Sequence, residues 1–460
     1  MTSLNRLAIR GIRSFDDKQL SVIEFFSPIT VIVGHDDSSV VVPQSRIDLE
    51  LLSELHQRGR VPGLVRPSEL KPIEPDRTAE EMEAAAQTKL TAPEHRTIYH
   101  PSMNFDDDAK SGLGRVKEEV LHLGSIGQPL SQCKTTGDLL RVMYDLIKVH
   151  DHVVELRILH RDLSWFNVMC NPKHLIKEHP LLKTDTSLSR PCINQILGEP
   201  DAEPCVLLAD FDHAIKLDGS EAPQPDEKTG TPMFISVEVS TPKSMKYRPV
   251  GLAWIKTALL QAENDATAFN LAFPKGDGDF MRNFERVMQL EDERMAKSNY
   301  TARPHPTRHG SRHDAESNYW IFLWAFARAR PLLAALDTNK KDLNKFCNDM
   351  FSHGIGRDTG EAGRAPWLLH GEQIQDLFHP SLQVFEPLFI QMSNYLAIPW
   401  YLYCGGTDPD GNRMLEIMKP NHVHVAFRRI VLAFFLDPRH ADALETALDA
   451  QAPRSTSKYS

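Results

Sequence analysis

The chain is short of cysteine, and none of its cysteines forms a C-x-x-C pair: six (Cys133, Cys170, Cys192, Cys205, Cys347 and Cys404) are scattered over 460 residues. That spacing excludes a zinc ribbon and argues against a disulfide framework, so free thiols in a reducing compartment are expected. There is no long basic run. With 52 Lys and Arg against 62 Asp and Glu the formal charge is −10, so general nucleic-acid binding is not expected. No apolar run reaches the ~20 uninterrupted residues of a membrane helix; the most apolar stretch, Tyr319 to Leu336, is broken by Arg328, Arg330 and Pro331. Arg6, Arg10 and Arg13 precede neither an apolar segment nor a small-residue cleavage site, which does not read as a secretory signal. An intracellular protein, cytoplasmic or nuclear and without a membrane partner, is the expectation.

What is present has a globular balance, 41% hydrophobic, 25% charged and 8% aromatic. At ~150 residues per domain, two or three domains are expected. Residues 1–42 read as β structure, ending in the β-branched run from Ile29 to Val33 before Gly34. From Ile47 the period turns helical through Leu51, Leu52 and Leu55, closed by Gly59 and Pro62-Gly63. Residues 66–112 are rich in Pro, Glu, Asp and Ala and predict a solvated connection, with a helix near 79–89. Leu139, Leu140, Met143, Tyr144, Ile147, Val153 and Val154 share one helical face, with Asp138 as the expected N-cap. Segments 171–204 and 274–313 read as insertions around a short buried strand, Val206 to Ala209. Helices are predicted over 316–336 and 422–437, with Trp320, Trp324 and Phe326 in the core, and the tail 451–460 should fray.

The run from Val31 to Ser39 has the setting of a phosphate loop, a strand entering a tight turn. Aligned from Gly34, the second glycine falls on Ser39, the lysine on Val40 and the hydroxyl on Val41. Asp36 and Asp37 add negative charge where phosphate needs positive potential, at a cost on the order of 1 kcal/mol for a contact at ~4 Å. This loop does not bind a nucleotide. The strings Leu4 to Phe15 and Phe25 to Gly34 nonetheless resemble the start of the SMC-like ATPase of the DNA double-strand-break repair complex. The likeness stops inside the loop, and no sustained heptads follow to supply that ATPase's coiled coil. Residues 1–42 therefore read as a fragment of structural value only, and a repair-ATPase remnant is the remote alternative for the whole chain.

The strongest motif is His160-Arg161-Asp162-Leu163-Ser164-Trp165-Phe166-Asn167, which fits H-R-D-L-x-x-x-N after an amphipathic helix. Phosphoryl transfer needs these types at this spacing: Asp162 to accept or orient the proton of an attacking hydroxyl, Asn167 to offer an oxygen to magnesium. Downstream, Val206 to Asp210 is an apolar strand ending in an acid, followed by Phe211 and Asp212 as in D-F-G; Asp210 is expected to be the second magnesium ligand. Gly230-Thr231 with Glu238 matches the end of an activation segment. There Thr231 is expected to bond Asp162, and Glu238 to pair with an arginine, Arg428 or Arg429. Arg161 is a candidate to pair phosphorylated Ser220 or Thr229, or the acids Asp226 and Glu227 in their place. His160 is expected to pack rather than act as a base. His305, His309 and His313 recur every four residues, but Pro304 and Pro306 spoil a helix there, so a solvated loop is predicted rather than a zinc site.

With His313-Asp314-Ala315-Glu316-Ser317 before an apolar helix, these residues together resemble the fungal-type protein kinase family over roughly residues 46–445. The resemblance implies an α+β, two-lobed protein-kinase-like fold with a truncated N-lobe (43–136, including the acidic linker) and a mainly helical C-lobe (137–450). It implies ATP and Mg as cofactors, a protein Ser/Thr substrate, and a structural role for Asp314. No oligomeric state is implied. Against a complete kinase, no G-x-G-x-x-G precedes residue 130 and no V-A-I-K-like strand lysine stands out, Lys18 lying in a turn-like setting. A pseudokinase scaffold is therefore the alternative to a working phosphotransferase.

Overall fold

A computed structural model describes residues 40–43, 46–57, 60–65, 67–72, 119–123, 127–171, 190–211, 213–217, 230–240, 266–274, 278–296, 309–335, 341–353, 363–407 and 413–449. The strand expected at 29–33, the degenerate loop after it, the helix expected at 79–89 and the tail 451–460 lie outside these residues.

The first described elements form a small antiparallel sheet. Strands β1 (Val40–Pro43), β2 (Pro67–Pro72) and β3 (Glu119–Leu123) are ordered β1-β3-β2. β2 lies inside the stretch predicted to be a solvated connection. Its two prolines and its charged residues are poor strand formers; edge position explains the proline tolerance, since an edge strand leaves backbone N–H groups unpaired anyway. β2 also supplies a strand lysine, Lys71, in register with Val120. Between β1 and β2 runs helix α1 (Arg46–Leu55), whose Leu51, Leu52 and Leu55 join the main core.

The segment after α1 ties this region to the rest. Gly63 has φ 89, and a Cβ there would stand 2.4 Å from the Val149 side chain, so only glycine lets the chain pass. Its carbonyl accepts from Leu208 N at 2.8 Å, and Val65 N donates to Leu208 O at 3.0 Å.

The helical part is built on α2 (Thr136–Glu155). Its N-cap is Thr135, not Asp138: Thr135 Oγ1 accepts from Asp138 N at 3.0 Å, while Asp138 Oδ2 accepts from Thr135 N at 3.1 Å. The pair is a capping box, and Asp138 is its third helical residue. Strand β4 (Gln128–Pro129) precedes α2, and after the helix come β5 (Ile158–Leu159), β6 (Val168–Cys170), α3 (Ile193–Ile196), β7 (Val206–Leu208), β8 (Ile215–Lys216) and α4 (Val237–Ser240). Then follow α5 (Ala266–Ala272), α6 (Gly278–Ala296), α7 (Ser311–Arg328), α8 (Lys341–Ser352), α9 (Ala365–Leu369) and α10 (Glu386–Leu396). The described chain closes with α11 (Trp400–Cys404), a hairpin of β9 (Gly405–Thr407) and β10 (Arg413–Glu416), α12 (His422–Leu436) and α13 (Ala441–Leu444).

α7 is the central helix, buried on every face from His313 to Ala327. It packs on α2, α10 and α12, and Trp320, Trp324 and Phe326 sit in the core as the pattern predicts. The helix begins and ends earlier than its apolar run suggests. Gly310 is its N-cap, and the backbone is already extended at Ala329, two residues before Pro331. No helix among the described residues is long and apolar enough to cross a membrane. The described cysteines Cys133, Cys170, Cys192, Cys205 and Cys347 are free thiols.

Candidate active site

Two short antiparallel pairings bring distant motifs together. β5 pairs with β8, and β6 pairs with β7, with Val168 opposite Leu208. The loop from His160 to Asn167 therefore leaves one pair and enters the other. Both of its ends bind Ala209: Ala209 N donates to Asn167 O at 2.9 Å, and His160 Nε2 donates to Ala209 O at 3.0 Å. Ala209 precedes Asp210, so the loop and the strand-end acid meet at one place. The His160 ring also packs 4.7 Å from the Phe211 ring. Burial pulls His160 down to about 4, which keeps the ring neutral and suits it to a structural donor rather than a base.

Within the loop, Asn167 Nδ2 donates to Asp162 O at 2.8 Å. With its nitrogen so committed, the amide of Asn167 has its oxygen end to offer a cation. Asp162 is half-buried, and its Oδ1 accepts twice from Thr231, from the backbone N at 2.7 Å and from Oγ1 at 2.8 Å. Gly230 makes that approach possible. It has φ 127, and a Cβ there would lie 3.0 Å from Arg161 O. Arg161 and Asp210 themselves hold left-handed backbone, φ 66 and φ 63. For a non-glycine residue this conformation costs on the order of 1–2 kcal/mol, and such strain concentrates at functional sites.

Asp314, fully buried near the start of α7, offsets part of that strain. Its Oδ2 accepts from His160 N at 2.9 Å, and Arg161 N reaches both oxygens at 3.1 and 3.2 Å. His309 Nε2 is 2.7 Å from Oδ1, and His150 Nε2 is 3.5 Å from Oδ2. Burial alone would raise the acid, but these two imidazoles outweigh it and hold Asp314 well below the ordinary carboxylate range.

The segment from Thr231 to Ser240 is gripped along its length. Glu316 accepts from Ser236 Oγ at 2.7 Å, Val237 N at 2.8 Å and Trp320 Nε1 at 2.9 Å. Arg364, fully buried and stacked 4.7 Å from the Trp320 ring, donates to Met233 O and Ile235 O. His353 Nε2 lies 2.7 Å from Ser240 Oγ. Glu238 pairs with Arg312 at 3.2 Å and with His313 Nε2 at 3.2 Å. The expectation that Arg428 or Arg429 would anchor Glu238 is thus corrected. Arg428 instead meets Asp151 at 3.3 Å and donates to Ala272 O, while Arg429 stacks on Phe273 and Phe280.

The loop expected around His305 to His313 is likewise different over its described part. His309 and His313 are turned into Asp314 and Glu238 rather than into solvent, and His305 lies outside the described residues. So do Asp212, Ser220, Asp226, Glu227 and Thr229. The anchors that sequence reasoning missed are Glu316, Arg364, His309, His150 and His353. Glu316 stood in a quoted motif without a role. Arg364 sits in Gly363-Arg364-Ala365-Pro366, where nothing in the pattern marks an inward-facing cation.

Among the described residues no group of three or more His, Cys, Asp or Glu is arranged to hold a metal ion by itself. Asp210 and Asn167 offer hard oxygen donors of the kind that share magnesium with substrate phosphates and water rather than caging it. That donor set fits a magnesium–nucleotide complex.

Comparison with known sequences bears on two parts of the chain. DNA repair protein RAD50 of Dictyostelium discoideum is 56% identical over 36 residues, which is 8% of this chain and 3% of that protein. So small a share shows a likeness of the N-terminal segment and nothing of the whole protein's activity. The model of the fungal protein kinase family matches residues 39–326, a span that contains the His160–Asn167 loop, Asp210, Thr231 and Asp314. The chain belongs to the fungal protein kinase family.

Proposed function

We propose that the chain transfers the γ-phosphoryl group of Mg-ATP to a serine or threonine hydroxyl of a protein. The observation that carries this reading is the meeting of the catalytic-loop ends and Asp210 at Ala209, with Thr231 closing on Asp162 from the other side. In this arrangement Thr231 holds Asp162 Oδ1, and Oδ2 is assigned to the substrate hydroxyl, whose proton it orients or accepts. Asn167 and Asp210 would hold the magnesium ion, which supplies charge neutralisation at the phosphates when bound. The choice of serine and threonine over tyrosine rests on the family resemblance.

Radiolabelled ATP with a mixed protein acceptor tests the proposal. Asp162→Asn should lower incorporation by about a hundredfold or more. Equal incorporation by wild type and Asp162→Asn would remove the catalytic assignment. ATP binding without any transfer by the wild type would turn the reading into that of a scaffold.

A further inference from the structure

His309 belongs to no motif used above, yet it makes the shortest contact to the buried Asp314 carboxylate, 2.7 Å. We propose that His309 is a positioning residue for the catalytic loop, acting through Asp314. Rotation of that carboxylate decides whether its two oxygens meet the His160 and Arg161 amides together. The other imidazole near it holds more loosely. His150 Nε2 stands at 3.5 Å, and its Nδ1 faces His424 Nε2 at 2.7 Å. His150 thus reaches the carboxylate at longer range than His309 does, with its other ring nitrogen engaged by α12.

His309 meets the other oxygen, Oδ1 rather than Oδ2. It lies one residue before the N-cap Gly310 of α7 and stacks edge-on against His313, at 5.6 Å between ring centres. It therefore fixes Oδ1 from an element independent of both α2 and the loop. Without that donor the carboxylate turns, Arg161 N loses part of its acceptor, and the left-handed backbone at Arg161 is less well held. Asp162 is the next residue, so the loss reaches the group assigned to the hydroxyl. Asp210 and Asn167 are tied through Ala209 and stay in place.

The test compares His309→Gln, whose amide nitrogen can stand where Nε2 stands, with His309→Asn, whose shorter side chain falls short, and with His309→Leu. Hydrogen–deuterium exchange of peptides covering residues 158–165 is the first readout. The His160 and Arg161 amides should exchange about tenfold faster in the Asn and Leu variants and near the wild-type rate in the Gln variant. Peptides from α12 should not change. The second readout rests on the phosphotransfer reading: kcat should fall about tenfold or more in His309→Asn, with the KM for ATP within about twofold, and recover in His309→Gln. If wild type transfers no phosphate, that reading fails and the exchange data alone decide the role of His309. Exchange in His309→Asn equal to wild type, or Asn and Gln variants that are indistinguishable, would overturn the proposal. The polar pair decides the question even if the leucine variant does not fold.

Discussion

Replacing Glu316 by alanine should be among the most damaging single changes in the described chain, whereas glutamine should be tolerated. The carboxylate is the acceptor for three donors: Val237 N and Trp320 Nε1 on Oε1, and Ser236 Oγ on Oε2. Alanine leaves the backbone and indole N–H groups buried without a partner, at about 1–3 kcal/mol each. It also opens a cavity beside Trp320 and withdraws the negative charge near the buried Arg364, which burial already draws down to about 9. Together these amount to about 4–6 kcal/mol, against a total stability of about 5–15 kcal/mol for a typical domain. Glutamine can keep its oxygen where Oε1 stands and turn its amide N–H toward Ser236 Oγ. It loses only the charge, which burial already makes costly enough to raise the acid above its ordinary range. The expected loss is then below about 2 kcal/mol. Urea unfolding at neutral pH measures both. A glutamine variant as destabilised as the alanine variant, or an alanine variant within about 1 kcal/mol of wild type, would refute the reasoning.

Further outcomes follow from the same contacts. Thr231→Val removes one of the two donors to Asp162 Oδ1 while leaving the backbone one; it should cost about 1–3 kcal/mol in urea unfolding and lower kcat more than it raises KM. Acid should destabilise the protein before carboxylates of ordinary pKa titrate. Burial holds His160 and His313 at about 4, below the usual 6.5, so between those values the unfolded chain takes up protons that the folded one refuses. Stability is full above the ordinary value and falls as pH drops through this window, by ~1.4 kcal/mol per pH unit for each such group. His422 and His424 add to the loss. Asp145, raised by burial to about 6, and Glu316, raised by burial as well, oppose it. Asp314, depressed instead, gives its contribution above the ordinary carboxylate value and loses it only on further acidification. Urea midpoints at pH 7.5 and 5.5 check this, and a flat profile would contradict it.

The parts of the site that could be read in the sequence are those whose chemistry demands a fixed spacing. His160 to Asn167 is continuous in the chain, and the glycine before Thr231 is dictated by the carbonyl of Arg161. Helices could be read wherever one face is apolar, as in α2, but less well where every face is buried. In α7 the apolar run hides the polar first turn, and His313, Asp314 and Glu316 are buried there because each has partners from elsewhere in the chain. Sequence spacing cannot show such long-range pairs. Arg364 meets carbonyls more than a hundred residues upstream, and Glu238 meets Arg312 rather than either arginine of α12. β2 was hidden for a different reason: its residues favour loops, and pairing with β3 overrides that preference. The histidines at 309 and 313 carry the spacing of a metal site, yet they face acids, the buried Asp314 and the half-buried Glu238.

The central claim is that Asp210 and Asn167 serve one divalent ion together with ATP. Electron paramagnetic resonance of Mn²⁺ titrated into the full chain with a non-hydrolysable ATP analogue tests it most directly. The prediction is a bound Mn²⁺ signal that depends on the nucleotide, is abolished in Asp210→Asn and is weakened in Asn167→Ala. Nucleotide-dependent Mn²⁺ binding unchanged by both substitutions would contradict the account.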